Sequence, residues 1–95
     1  MMRQLLDEDQ RLVILRGLID CGGDANESII QQCLDLYAHR LSRDAVRNHL
    51  SWLQEQGLIT IADVAGCYVG TLTARGQDAA EGRATVPGVK KPRAR

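Results

Sequence analysis

The 95-residue chain has no phenylalanine, no CxxC pair, no long apolar run and no net charge, with 12 Lys and Arg against 12 Asp and Glu. Nothing in it approaches the roughly 20 apolar residues that span a bilayer, so no membrane partner is expected. Arg3 is followed after three residues by the acidic run Asp7, Glu8 and Asp9, which is not the apolar core of a signal peptide, and a cytoplasmic protein is expected. The three cysteines, Cys21, Cys33 and Cys67, lack the short Cys/His spacing of a zinc site and read as reduced, mostly buried thiols. Cys33 and His39 stand on different faces of a helix, so no metal is expected there. No Ser/His/Asp or Cys/His arrangement, phosphate loop or paired-carboxylate site is visible, which argues against an enzyme and calls for no cofactor. The Gly22-Gly23-Asp24-Ala25-Asn26 stretch lacks both the preceding strand and the Lys-Ser/Thr of a phosphate cradle.

Zero net charge argues against a uniformly basic DNA clamp, but the charge is unevenly placed. Met1 to Leu36 holds three Arg against seven acids, Tyr37 to Gly70 three of each, and Thr71 to Arg95 six Lys/Arg against two acids. An acidic first third would face away from nucleic acid, leaving the middle and the C-terminus to meet it.

Periodicity orders the chain. Leu12, Val13, Leu15, Leu18 and Ile19 recur at helical steps and predict a first helix from Glu8 to about Cys21, with Asp9 as its cap and Gly22-Gly23 as its end. The stripe is wide enough to face both a core and a partner chain. Asn26 can cap a second helix from Glu27, in which Ile29, Ile30, Cys33, Leu34 and Tyr37 form the apolar stripe before an end near His39-Arg40. Ser42 then opens a third helix, residues 42–56, with Val46, Leu50 and Leu53 on one face and Gly57 as a left-handed stop. Its outer face carries Arg43, Arg47, Asn48 and Ser51, all able to donate to phosphates or base edges. Leu58 to Val64 and Tyr68 to Thr73 are β-rich runs joined by Ala65-Gly66, a hairpin whose tip has no Lys or Arg. Thr73 can cap a short fourth helix ending at Gly82. Arg83 to Arg95 contains Pro87, Gly88 and Pro92 among basic residues, without apolar periodicity, and reads as a disordered basic tail. One domain over 1–82 and a tail over 83–95 follow, in an α+β, mostly α class.

Two motifs, HLSWLQEQGLI from His49 to Ile59 and LTARG from Leu72 to Gly76, stand in order around a hairpin. With them the chain resembles winged helix-turn-helix regulators of the ArsR, MarR and PadR kind, including the small versions found in Mu-like phages and prophages. The resemblance covers about Ala25 to Gly82. It implies a transcription regulator whose helix 42–56 enters the major groove of double-stranded DNA, with Arg43, Arg47, Asn48 and Ser51 facing it and the wing 58–73 near the backbone. It also implies a homodimer through the first helix and the C-terminal segment, which would place two such helices about 34 Å apart. Base readout falls to Arg47 on guanine and Asn48 on adenine. Ser42 stands at the same helix start, and Arg40, Arg43, Lys90, Lys91, Arg93 and Arg95 would hold phosphates. The metal motif of the ArsR sensors is absent, since Cys33 stands alone, and no long helix follows the wing. The competing class is a winged-helix interaction or dimerisation module that binds no specific DNA.

Overall fold

The computed structural model describes residues 1–93. In chain order these form α1 (Met2–Asp20), β1 (Asp24–Asn26), α2 (Glu27–Leu36), α3 (Arg43–Glu55), β2 (Ile59–Val64), β3 (Cys67–Leu72) and α4 (Ala74–Glu81). The three strands make one antiparallel sheet in the order β1-β3-β2, an α+β arrangement dominated by helix.

Helix α1 is the rod around which the rest packs. Its buried residues, Gln10, Leu12, Val13, Ile14, Leu15 and Leu18, point around most of its circumference, which a helix can do only when covered on several sides. It contacts α2, α4, β1 and β3. The helix begins at Met2 rather than at Glu8, because Met2, Arg3, Gln4, Leu5 and Leu6 are good helix formers that extend a segment already nucleated by its buried middle. Met2, Leu5 and Leu6 consequently sit on an exposed overhang. Asp9 is no cap; it lies in mid-helix and pairs with His39 and Lys90.

The other caps are those the sequence predicts. Asn26 accepts from the Ile29 amide at 2.9 Å, Ser42 from Ala45 at 3.1 Å and Thr73 from Gly76 at 3.0 Å. Helix α2 stops at Leu36, short of His39-Arg40, because Ala38 turns left-handed (φ 65°) and the His39 amide closes onto the Leu34 carbonyl. Tyr37 is therefore exposed outside the helix, not the last residue of its apolar stripe. Residues 24–26, expected as plain turn, form β1 against β3, pairing Ala25 with Gly70, and the Leu72 amide donates to the Gly23 carbonyl beyond it.

The LTARG glycine has a packing reason. A Cβ at Gly76 would collide with the Leu58 carbonyl, so α4 can lie this close to the start of β2 only without a side chain.

The C-terminal segment corrects the sequence reading most. Residues 83–93 are packed, not a disordered tail. Val86 and Val89 belong to the hydrophobic core, the Lys90 amide donates to the Glu8 carbonyl, and Gly88 (φ 97°) lies where any Cβ would strike the Trp52 ring. Arg11 stacks over Trp52 at 3.9 Å and donates to the Gly88 carbonyl at 3.0 Å, closing the segment over the molecule. Two valines with no helical or strand period around them leave no pattern to read.

A chain ending after Gly82 is expected to lose about 3 kcal/mol from the removal of Val86 and Val89. Denaturant unfolding of this truncation checks it; stability equal to the full chain would return the segment to the status of a loose tail.

Candidate nucleic-acid interface

Helix α3 has its inner face fixed by Val46, Leu50 and Leu53, all fully buried, and its start fixed by the Ser42 cap. Its orientation about its own axis is set by a buried acid. Glu27, the first residue of α2, is 0% exposed and sits where the amino end of a helix favours negative charge. Arg47 Nε and Nη2 donate to its two oxygens at 2.8 and 2.9 Å, Arg43 Nη1 approaches at 3.5 Å, and the Tyr68 amide donates to Oε2. These donors hold the Glu27 carboxyl down at about 2, well below its ordinary value, with the Arg47 bonds the largest cause. One carboxylate thus joins α2, α3 and β3.

Arg47 is placed differently from the sequence expectation. Besides Glu27, its Nη2 donates to the Gly66 carbonyl at the hairpin turn at 2.6 Å, and its guanidinium lies 4.2 Å over the Tyr68 ring. The edge that would grip guanine is turned inward, because a buried carboxylate without a countercharge would be far costlier than a lost surface arginine. Arg43 is 46% exposed by side chain and shares its Nε with Gln31 at 3.1 Å. Asn48 and Ser51 are exposed and make no side-chain hydrogen bond among the described residues. Arg40 is exposed in the α2–α3 connection, and Ser42 has its hydroxyl engaged in the cap. Lys90, Lys91 and Arg93 lie beside Arg16 of α1, around a groove of about 240 Å³, and not on α3. Arg95 lies outside the described residues.

The same face of α3 carries Asp44 and Glu55, both exposed, which the sequence reading did not weigh. Asn48, Ser51 and Glu55 border an open groove of about 690 Å³ whose far wall is the α1 overhang, with Arg3 and Leu6. Behind that groove a directed chain of hydrogen bonds ties α1 to α3. Arg11 Nε donates to His49 Nδ1 at 3.3 Å, His49 Nε2 to Gln10 Oε1 at 2.8 Å, Gln10 Nε2 to His39 Nδ1 at 3.4 Å, and His39 Nε2 to Asp9 at 2.7 Å. Burial, and then the nearby Arg11 charge, push the His49 imidazole below its ordinary pKa, in keeping with a neutral ring that accepts at Nδ1. Glu27 and Gln10 were missed by sequence reasoning. The one signal for Glu27 was an acid directly after the Asn26 cap; Gln10 had none.

The architecture is that of a small, mostly helical α+β domain with a regulator-like structural neighbour. In a solved structure, BpsR of Bordetella bronchiseptica, whose DNA binding is regulated by 6-hydroxynicotinic acid, shares the fold at a TM-score of 0.61 and 19% identity. The match covers 76% of this chain and 49% of that one, so the chain spans about half the length of that regulator. The chain belongs to the family of protein gp26 of Escherichia phage Mu, to which it is 60% identical over 100% of its own length and 99% of that protein's. An uncharacterized protein of Haemophilus influenzae is 57% identical over 77% of this chain and 72% of its own. No family model matches. No helix of the described residues is long and apolar enough to cross a membrane.

Arg47→Met removes both close bonds to buried Glu27, leaving Arg43 at 3.5 Å as its remaining cation, and is expected to lower Tm by on the order of 10 °C, far more than Arg43→Met. Because the Glu27 carboxyl titrates lower folded than unfolded, its stabilisation is complete above pH ~4.5 and lost as pH falls toward 2. Thermal melts across that window should be steep in the native protein and shallow in Glu27→Gln; equal slopes would remove Glu27 as the acid-labile group.

Proposed function

We propose that this protein is a winged helix-turn-helix regulator of double-stranded DNA, with α3 as reading helix and the β2–β3 hairpin as wing. The observation that carries the reading is the free polar strip of Asn48 and Ser51, held outward on a capped helix whose inner face and roll angle are fixed by its neighbours. The fold shared with a DNA-binding regulator supports it. In this reading Asn48 contacts adenine, with Ser51 beside it, while Arg40 and Arg43 hold phosphates. Arg47 serves as a strut between reading helix and wing. Lys91 and Arg93, exposed beside Arg16, act through the field they add. Asp44 and Glu55 oppose phosphate on the same face, so one copy binds weakly and two copies on adjacent half-sites are needed. The exposed Met2, Leu5 and Leu6 overhang supplies an apolar surface for that homodimer.

The same overhang favours the second reading, an interaction module in which α1 engages another protein and α3 reads nothing. Mobility shift against a random duplex pool at low and raised salt separates the two. The DNA reading expects a salt-sensitive complex and enrichment of one motif. Asn48→Ala is expected to relax preference at one position at a cost of about 1–3 kcal/mol, while Arg40→Ala weakens binding to all sequences and reduces the salt slope by about 1. Absence of any salt-sensitive complex would leave the module reading.

For the dimer, light scattering at micromolar protein should give twice the monomer mass, and Leu5→Asp with Leu6→Asp should return it to the monomer. A monomeric native protein would remove the two-half-site arrangement.

A further inference from the structure

We propose that Cys21 and Cys33 form a reversible disulfide that ties the end of α1 to the middle of α2 when the protein meets a hydroperoxide. Cys21 closes α1 and is exposed; Cys33 is half-buried in α2, with its Sγ resting against Gly17, which lies one helical turn before Cys21 on the same face of α1. Their proximity is built into the helix contact. Gly17, one turn before Cys21, leaves room where a Cβ would come within 3.3 Å of Cys33 Sγ, so α2 can rest its thiol directly on the α1 surface. Cys33 is also reachable from outside, since it lines an open groove of about 280 Å³ with Val13, Gly17, Leu36 and Tyr37. Cys67, at the hairpin, serves as an internal control: its thiol donates weakly to the Tyr68 carbonyl.

The two thiols are unequal, and the inequality assigns their roles. Burial, with smaller contributions from Cys21 and Asp20, pushes the Cys33 thiol up, which makes it the slower of the two toward peroxide. Cys21, open to solvent, is the sulfur that meets the oxidant. Its thiolate attacks one peroxide oxygen and the O–O bond breaks, giving the sulfenic acid and, after protonation, one water. Cys33 sulfur then attacks the Cys21 sulfur, the S–O bond breaks, and the departing hydroxide takes the Cys33 proton as a second water. In sum, two thiols are oxidised to one disulfide and one hydrogen peroxide is reduced to two waters. A dithiol reductant reverses the step.

The bridge would enclose Gly22 to Gln32, the stretch that holds β1, the Asn26 cap and Glu27. Oxidation therefore stiffens the segment that anchors the Glu27–Arg47 clamp, whatever the protein binds.

The test treats the full-length protein with hydrogen peroxide, blocks remaining thiols with an alkylating agent and maps the peptides by mass. The expected product lacks two hydrogens, carries a Cys21–Cys33 linked peptide, has Cys67 alkylated, and melts on the order of 10 °C higher until dithiothreitol is added. Cys21→Ser should abolish the linked peptide and Cys67→Ser should keep it. Cys21 driven to sulfinic or sulfonic acid with Cys33 recovered as an alkylated thiol would overturn the proposal. So would disulfide found only between chains.

Discussion

Glu27 carries a negative charge in a place closed to solvent, and four groups on three elements are arranged to make that tolerable. Asn26 and the amino end of α2 supply the favourable field, Arg47 supplies two bonds from α3, Arg43 stands behind it, and the Tyr68 amide closes the site from β3. The pair adds little as a simple ion pair, because desolvation offsets much of the attraction. Its value lies in geometry. A bidentate contact is intolerant of sliding or rolling, so the presentation of α3 and the position of the hairpin beside it are fixed together. Arg47 extends this to Gly66 and stacks on Tyr68, so the hairpin turn, which has no cation of its own, is braced by a cation from α3.

A second set of contacts works on the opposite flank of α3. The Arg11, His49, Gln10, His39, Asp9 chain is satisfied at every link, and no buried side-chain polar atom of the described residues is left without a partner. A fully paired polar network of this kind specifies one register of α1 against α3, where an apolar contact would allow several. The C-terminal segment seals it, through Gly88 against Trp52 and Lys90 against Asp9. A chain of this size has little core to spare, and Val86 and Val89 complete the cover over α1.

Between these two flanks α3 leaves only a narrow outward strip, with Asn48 and Ser51 as donors and Asp44 and Glu55 as acceptors of opposite consequence for DNA. That strip is too small and too mixed in charge to bind a polyanion by attraction alone. The apolar end of α1, with Met2, Leu5 and Leu6 exposed, lies beside that strip.

The helices, their caps and the hairpin were legible because each is encoded within a few residues: the 3.6 period of Val46, Leu50 and Leu53, the hydroxyl of Ser42 three residues before the amide it caps, the Ala65-Gly66 turn. The polar side chains of α3 were legible too, but not their employment. Arg43, Arg47 and Asn48 look alike as donors along the sequence, and only the contact with Glu27, 20 residues away, engages the donors of Arg47 within the fold. The strand β1 and the packed C-terminus escaped for the same reason, since Ala25 needs Gly70 and Val89 needs α1 before either has a structure. Local periodicity and capping are properties of a segment, so the sequence by itself determined the elements and which face of each is apolar. Burial of a charge and pairing across tens of residues are properties of the assembled chain, so only the tertiary structure decided which arginine is a strut and which polar side chains remain free.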